Sequence, residues 1–271
     1  MLERFEGDDT VLEQASFLAD EVAYNIIYRV CDSETKLCWK TADDTLIFAK
    51  TPGNSGWLWM APGLPDAVRE KMARNLAGQL YREGIEVTGI SGSPELAGLF
   101  ARVYPPLTGQ SQRLHIKLEA YRCPVVRQPS GIAGAIRKAR AEDIKTVAGF
   151  IAAFTQEAYG QQVEVASQIP AAAEMVESGE LYVWVEAEKL VSMAAIAHRT
   201  ARHARINAVY TEPDARNHGF ASALVAEVSA IIVAGGLEPM LYAEVQNPAA
   251  NKAYRNIGFR PSGQIFEYRF T

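Results

Sequence analysis

Cysteine is scarce in this chain. Cys31, Cys38 and Cys123 are an odd count with no metal-ligand spacing, and no histidine cluster accompanies them. A disulfide framework and a zinc site are therefore set aside, no metal is expected, and reduced thiols in a cytoplasmic protein are the reading. Long apolar runs are missing too, so no membrane span is expected. The first residues, Met1-Leu2-Glu3-Arg4-Phe5-Glu6, are acidic and mixed, unlike a signal peptide. Nor is there a basic surplus: the net charge of −5 gives no global attraction to nucleic acid or to an acidic membrane. What remains is ordinary for a globular protein, with 48% hydrophobic and 22% charged residues, and 271 residues suffice for two domains.

Taken in order, Asp8 to about Arg29 has the period of an amphipathic helix. Thr45–Lys50 and Gly56–Met60 read as strands joined by a Pro-Gly turn. A helix from Pro65 to Arg82, a strand from Ile85 to Ile90, a short helix from Pro94 to Val103 and a strand from Gln112 to Tyr121 complete this half. Cys123 to Gly131 is a linker by composition. Then follow a strand (Ile136–Ala139), helices near 142–154 and 169–178, and three strands, 181–187, 189–197 and 203–211. A helix ending at Gly235-Gly236, a strand (Pro239–Val245), a helix (Pro248–Asn256) and a last strand (Gln264–Phe270) close the chain.

The organising stretch is Arg205 to Ala226. Its strand stops at Pro213, and helical spacing begins at Phe220 and continues through Leu224, Val228 and Ile231. Between them lies Arg216-Asn217-His218-Gly219-Phe220-Ala221. A turn that enters a helix through glycine leaves backbone N–H groups aimed at one point beside the positive end of the helix dipole, a setting for a phosphate or pyrophosphate.

Arg-x-x-Gly-x-Ala between strand and helix resembles the acyl-CoA pyrophosphate loop of the GNAT superfamily of N-acetyltransferases. Asn247-Pro248-Ala249-Ala250-Asn251-Lys252-Ala253-Tyr254-Arg255-Asn256-Ile257-Gly258-Phe259 is similar to that superfamily's second signature, N-x-x-A-x-x-x-Y-x-x-x-G-F. Two signatures in the right order are far more specific than a glycine turn alone. The resemblance implies an α+β GNAT fold with a mixed, mostly antiparallel sheet.

The halves also echo each other. When Pro94 is laid over Pro248, Ser93-Pro94-Glu95-Leu96-Ala97-Gly98-Leu99-Phe100 covers Asn247–Tyr254, with Ala97 in place of Asn251 and Phe100 in place of Tyr254. The N-terminal strand-to-helix turn, Ala61-Pro62-Gly63-Leu64-Pro65-Asp66, lacks the Arg-x-x-Gly-x-Ala loop. Its two prolines remove N–H donors, and Asp66 would repel a phosphate. The expectation is a tandem: residues 1–128 a degenerate GNAT-like domain, residues 129–271 the acetyltransferase domain. An unrelated α+β domain would give the same coarse element order.

The resemblance implies an enzyme that moves an acetyl group from acetyl-CoA, as co-substrate, to a primary amine by direct attack. It assigns the pyrophosphate to Arg216, Asn217, His218, Gly219, Phe220, Ala221 and Ser222. Backbone groups of Val209 and Thr211 take the acetyl oxygen and the pantetheine. Tyr254 protonates the departing thiolate; its alternative is a packed core tyrosine. Asn251 serves pantetheine or phosphate, and Asn247 does so unless it is only a helix cap. Asn207 and Tyr210 line the cleft or simply pack, and His218 reads as an exposed loop residue. For the general base Glu157 is the first candidate, with Glu186, Glu244 and a water relay beside it. The acceptor stays open among amino acids, amino-antibiotics, polyamines and protein N-termini. A small-molecule or peptide amine and a homodimer mate are the expected partners, with no nucleic acid and no membrane. Two rivals stand outside this reading: a silent acyl-CoA sensor or scaffold, and a binding module whose N-terminal half delivers a protein for acetylation.

Overall fold

The structure is a computed structural model that describes residues 2–271. It contains two compact units: 1–121 with 242–247 and 261–271, and 122–241 with 248–260. In chain order the elements are β1 (Leu2–Arg4), α1 (Ala15–Leu18), α2 (Glu21–Tyr24), α3 (Ile26–Cys31), β2 (Leu37–Thr41), β3 (Leu46–Lys50) and β4 (Gly56–Met60). Then come α4 (Asp66–Arg82), β5 (Gly89–Gly92), α5 (Pro94–Val103), α6 (Pro105–Thr108), β6 (Gln112–Arg122), β7 (Ala135–Lys138), α7 (Ile144–Tyr159) and α8 (Ile169–Glu177). The rest are β8 (Leu181–Glu186), β9 (Lys189–Arg199), β10 (His203–Thr211), α9 (Phe220–Ala234), β11 (Glu238–Glu244), α10 (Pro248–Ile257) and β12 (Arg260–Phe270). No described helix is long and apolar enough to cross a membrane.

In the first unit the strands run β1-β2-β3-β4-β5-β12, antiparallel except for the parallel pair β4–β5. The chain's last strand thus pairs with β5, Phe266 opposite Gly92 and Arg269 opposite Gly89. The core sits where α4 and α5 cover the sheet: Phe48, Leu58, Leu76, Leu80, Ile90, Phe100 and Phe270. The single helix expected over Asp8–Arg29 is instead a series of short turns, and this is a correction. Gln14 is extended, with φ −69° and ψ 141°, and separates a one-turn segment from α1. Side-chain bonds hold the breaks: Gln14 donates to Asp44 and Trp59 Nε1 donates to Asp20. Tertiary partners have overridden a helical pattern.

The second unit orders its strands β11-β10-β9-β8-β7. β10–β11 is parallel and the other pairs are antiparallel. Met193 and Ala195 on β9 pack with Val147, Phe150, Leu181, Val183 and Tyr210 beneath α7 and α8. The alternating residues Ala194 and Ile196 are buried as well, and α9 packs on the same strands. Since alternate side chains of a strand leave by opposite faces, this sheet is covered on both. That explains why α9 is apolar nearly all round, burying Phe220, Ala223, Leu224, Val225, Val228 and Ile232.

Candidate functional site

In the second unit β10 is irregular where the chemistry is expected. β10 and β11 pair from His203 opposite Glu238 to Ile206 opposite Leu241, and the parallel ladder ends there. On the other side, Asn207 faces Ala195 and Tyr210 faces Met193, so β10 carries one residue more than β9 over this interval. The excess is absorbed at Ala208, whose φ is +51°. Such a bulge bends its strand and re-aims the next residues, so the departure from β11 has a local cause. Val209 lies within the bulge, half-buried, with no residue of β9 in register. Thr211 follows at the strand end, its hydroxyl 2.9 Å from that of Ser192, which also donates to the Tyr210 carbonyl at 2.7 Å.

Beyond Pro213–Ala215 the backbone reverses through two left-handed residues, Asn217 (φ +66°) and Gly219 (φ +83°). The first helical bond of α9 is from the Ala223 N–H to the Gly219 carbonyl at 2.9 Å, and Gly219 supplies no side-chain cap. The N–H groups of Phe220, Ala221 and Ser222 thus precede the ladder, at the positive end of a 15-residue helix. That donor set fits a pyrophosphate. Gly219 is favoured as glycine by its positive φ; an added Cβ would also stand 2.6 Å from Ile132 Cδ1, the movable end of that side chain. His218 is exposed and stacks on Phe220 at 5.6 Å, with Nδ1 3.3 Å from the Ala215 carbonyl oxygen, which is a loop arrangement.

Arg216 and Glu157, distant in sequence, meet directly. The Arg216 Nη2 donates to both Glu157 carboxylate oxygens at 2.7 and 2.8 Å, its Nε donates to the Thr211 carbonyl at 3.1 Å, and its guanidinium lies 5.6 Å from the centre of the Tyr210 ring. The Tyr210 hydroxyl is 3.5 Å from the same carboxylate. Burial, and then the Glu157 charge, raise the Tyr210 phenol above its ordinary value. Beside this group opens a cavity of about 460 Å³ between α7 and the end of β10. Phe150, Ala153, Tyr210 and Pro213 make its apolar wall, and Glu157 and Glu212 are its two carboxylates. Sequence reasoning missed Glu212, although its place just past the strand end was a usable signal. It also missed the Arg216–Glu157 pair, for which the sequence holds no signal.

On α10, Asn251 is buried and Tyr254 half-buried one turn later, its ring meeting Phe259 edge-on at 5.9 Å. Desolvation pushes the Tyr254 hydroxyl up to about 12, so it keeps its proton at neutral pH. Asn247, just before the helix, is exposed. Glu186 ends β8 and Glu244 ends β11; neither lines the cavity, which holds Glu157 alone of the three base candidates.

The first unit repeats the same connection without the opening. β4–α4–β5–α5 parallels β10–α9–β11–α10, and α5 and α10 are both 10 residues long and begin at the aligned prolines. Yet β4 and β5 still pair at Trp57 and Ser91, and with Pro94 aligned on Pro248 Ser91 corresponds in sequence to Val245, beyond the point where β10 and β11 have parted. A Cβ on Gly92 would stand 2.6 Å from the Leu58 carbonyl oxygen, so the strands are in contact there. The Tyr24 hydroxyl accepts from the Ser93 N–H at 2.8 Å and fills the space ahead of α5.

Comparison with known proteins accords with this geometry. Residues 181–269 match the family model described as FR47-like protein. Among solved structures, a GNAT-family acetyltransferase from Colwellia psychrerythraea superposes with a TM-score of 0.62 at 14% identity, covering 100% of both chains. A GCN5-related N-acetyltransferase from Sphaerobacter thermophilus gives 0.63 at 14% identity, over 99% of this chain and 94% of that one. A tandem GNAT protein from the clavulanic acid biosynthesis pathway gives 0.56 at 12% identity, over 100% and 98%. No curated protein sequence matches. The fold is therefore that of the GNAT acetyltransferases, and the resemblance drawn from the two signatures is borne out.

Proposed function

We propose that the second unit transfers the acetyl group of acetyl-CoA to a primary amine by direct attack. The observation that carries this is the parting of β10 from β11 immediately ahead of an uncapped glycine turn. Bound acetyl-CoA would bring an activated acyl group; the chain's residues hold it and move the protons. The backbone N–H groups from Asn217 to Ser222, with Arg216, bind the pyrophosphate. The Thr211 backbone, Asn251 and Asn247 align the pantetheine arm, and the Val209 N–H donates to the acetyl oxygen, where charge builds as the amine attacks. Glu157 takes the proton that the attacking ammonium must lose, and Tyr254 returns one to the leaving sulfur. The cavity of about 460 Å³, apolar with carboxylates, suits a small-molecule or peptide amine that is cationic before attack.

We further propose that residues 1–128 and 129–271 descend from one duplicated domain, the first having lost its acyl-CoA site. Support comes from the paired β4–β5 and the Tyr24 hydroxyl on Ser93. The test is thiol release from acetyl-CoA against a panel of primary amines, with acetyl-CoA binding measured in parallel. Acceleration by an amine supports transfer. Binding without acceleration by any amine would make the chain a silent acyl-CoA sensor.

A further inference from the structure

Arg216 and Glu157 have incompatible tasks if both act at once as the acetyltransferase reading requires. One is wanted at a pyrophosphate, the other at an ammonium, yet here each occupies the other. We infer that Arg216 is a latch on Glu157, opened by the phosphates of CoA; this rests on the acyl-CoA reading above. In the latched state both Glu157 carboxylate oxygens accept from one guanidinium nitrogen, so an acceptor ammonium would have to share the carboxylate with a cation already on it. The remaining Arg216 contacts, to the Thr211 carbonyl and the Tyr210 ring, hold the guanidinium on the acceptor side of the turn.

The latch is poised to exchange. Both side chains are well exposed, 41% for Arg216 and 46% for Glu157, and exposed ion pairs are weak. A pyrophosphate on the N–H groups just downstream offers more than one negative charge and a matching geometry for the guanidinium. Arg216 then leaves Glu157, whose carboxylate turns to the cavity it already lines. CoA binding thereby favours the state in which Glu157 is free of its cation and open to the acceptor. Glu157 is a positioning partner of Arg216 in one state and a proton acceptor in the other.

Calorimetric titration with CoA and with pantetheine, which lacks the phosphates, tests this without knowing the acceptor. The proteins are the wild type, Glu157→Gln, Arg216→Gln and the double variant, each checked for an unchanged circular dichroism spectrum and melting curve. A latch predicts that Glu157→Gln tightens CoA binding by about twofold to fivefold by sparing Arg216 its competitor, with pantetheine unaffected. It also predicts that this gain largely vanishes in the Arg216→Gln background. Simple repulsion between Glu157 and the phosphates predicts the reverse, a gain as large or larger once Arg216 is gone, and that result overturns the latch alone. Failure of the wild type to bind CoA at all would remove the acyl-CoA reading and the latch with it.

Discussion

Replacing Gly219 by alanine probes the turn on which cofactor binding is proposed to depend. At φ +83° an L-residue is penalised by roughly 1–2 kcal/mol, while alanine lowers unfolded-state entropy enough to return about 0.4–1 kcal/mol. To the net cost of about 0–1.6 kcal/mol is added the displacement of Ile132, whose Cδ1 would lie 2.6 Å from the new Cβ. The turn has two ways to respond. If it keeps its shape, the strain appears as a melting temperature lower by up to about 6 °C for a chain of this size. If it relaxes out of the left-handed region, the N–H groups of Phe220, Ala221 and Ser222 lose their common aim, and the CoA dissociation constant rises, roughly tenfold for each 1.4 kcal/mol forfeited. A thermal melt and a CoA titration on the same sample together capture the cost. Adding Ile132→Ala separates the terms, because it relieves the steric part and leaves the backbone part in place. An unchanged melting temperature with unchanged affinity in Gly219→Ala would refute the reasoning.

Tyr254→Phe should lower kcat by roughly a hundredfold while leaving CoA affinity nearly intact, since the hydroxyl is needed only as the C–S bond breaks; steady-state rates and direct binding check this. With its hydroxyl pushed up to about 12, Tyr254 should contribute no alkaline loss of kcat below pH ~11, which a pH–rate profile reads. One chain should bind one CoA, because β4 and β5 stay paired where β10 and β11 part; a calorimetric ratio near two would contradict this. The buried Asp143 carboxyl is held below its ordinary value chiefly by the Arg137 hydrogen bonds at 2.6 and 2.9 Å, so the pair adds stability above pH about 4 that is lost as pH falls through the lowered value. Asp143→Asn should therefore cost roughly 1–3 kcal/mol at neutral pH and flatten the acid side of the melting-temperature profile.

Much of this was legible because local pattern and tertiary demand agree. β10 and α9 fall at the expected residues, His203–Thr211 and from Phe220, since proline and glycine punctuate a strongly apolar strand and helix. α5 was equally plain, with Ser93 capping at the Leu96 N–H ahead of Pro94. The broken segment over 10–31 was not, because Gln14 and Asp20 are fixed by Asp44 and Trp59, which no helical period reports. The strand Leu37–Thr41 went unread for a related reason: its pairing with β3 is a tertiary fact, and its lysine and cysteine give little alternation. At the site, turn residues announce themselves by type and spacing. The meeting of Glu157 with Arg216 depends on where α7 ends against β10, and one sequence does not encode that in any short pattern.

The comparison of the two units isolates what an opening in this fold requires. Both have a parallel strand pair bridged by a helix, and both follow the second strand with a 10-residue helix that starts at proline. The skeleton alone therefore makes no cleft. What β10 has and β4 lacks is the extra residue at Ala208, the one non-glycine residue of either strand with positive φ among those described. β4, without it, keeps a regular ladder with β3 from Met60 to Trp57 and pairs with β5 at Gly56 and Trp57. A regular ladder satisfies backbone groups internally. Across the bulge Ala208 and Val209 have no residue of β9 in register. The positive φ of Ala208, as much as the glycine turn, is thus what distinguishes β10 from β4.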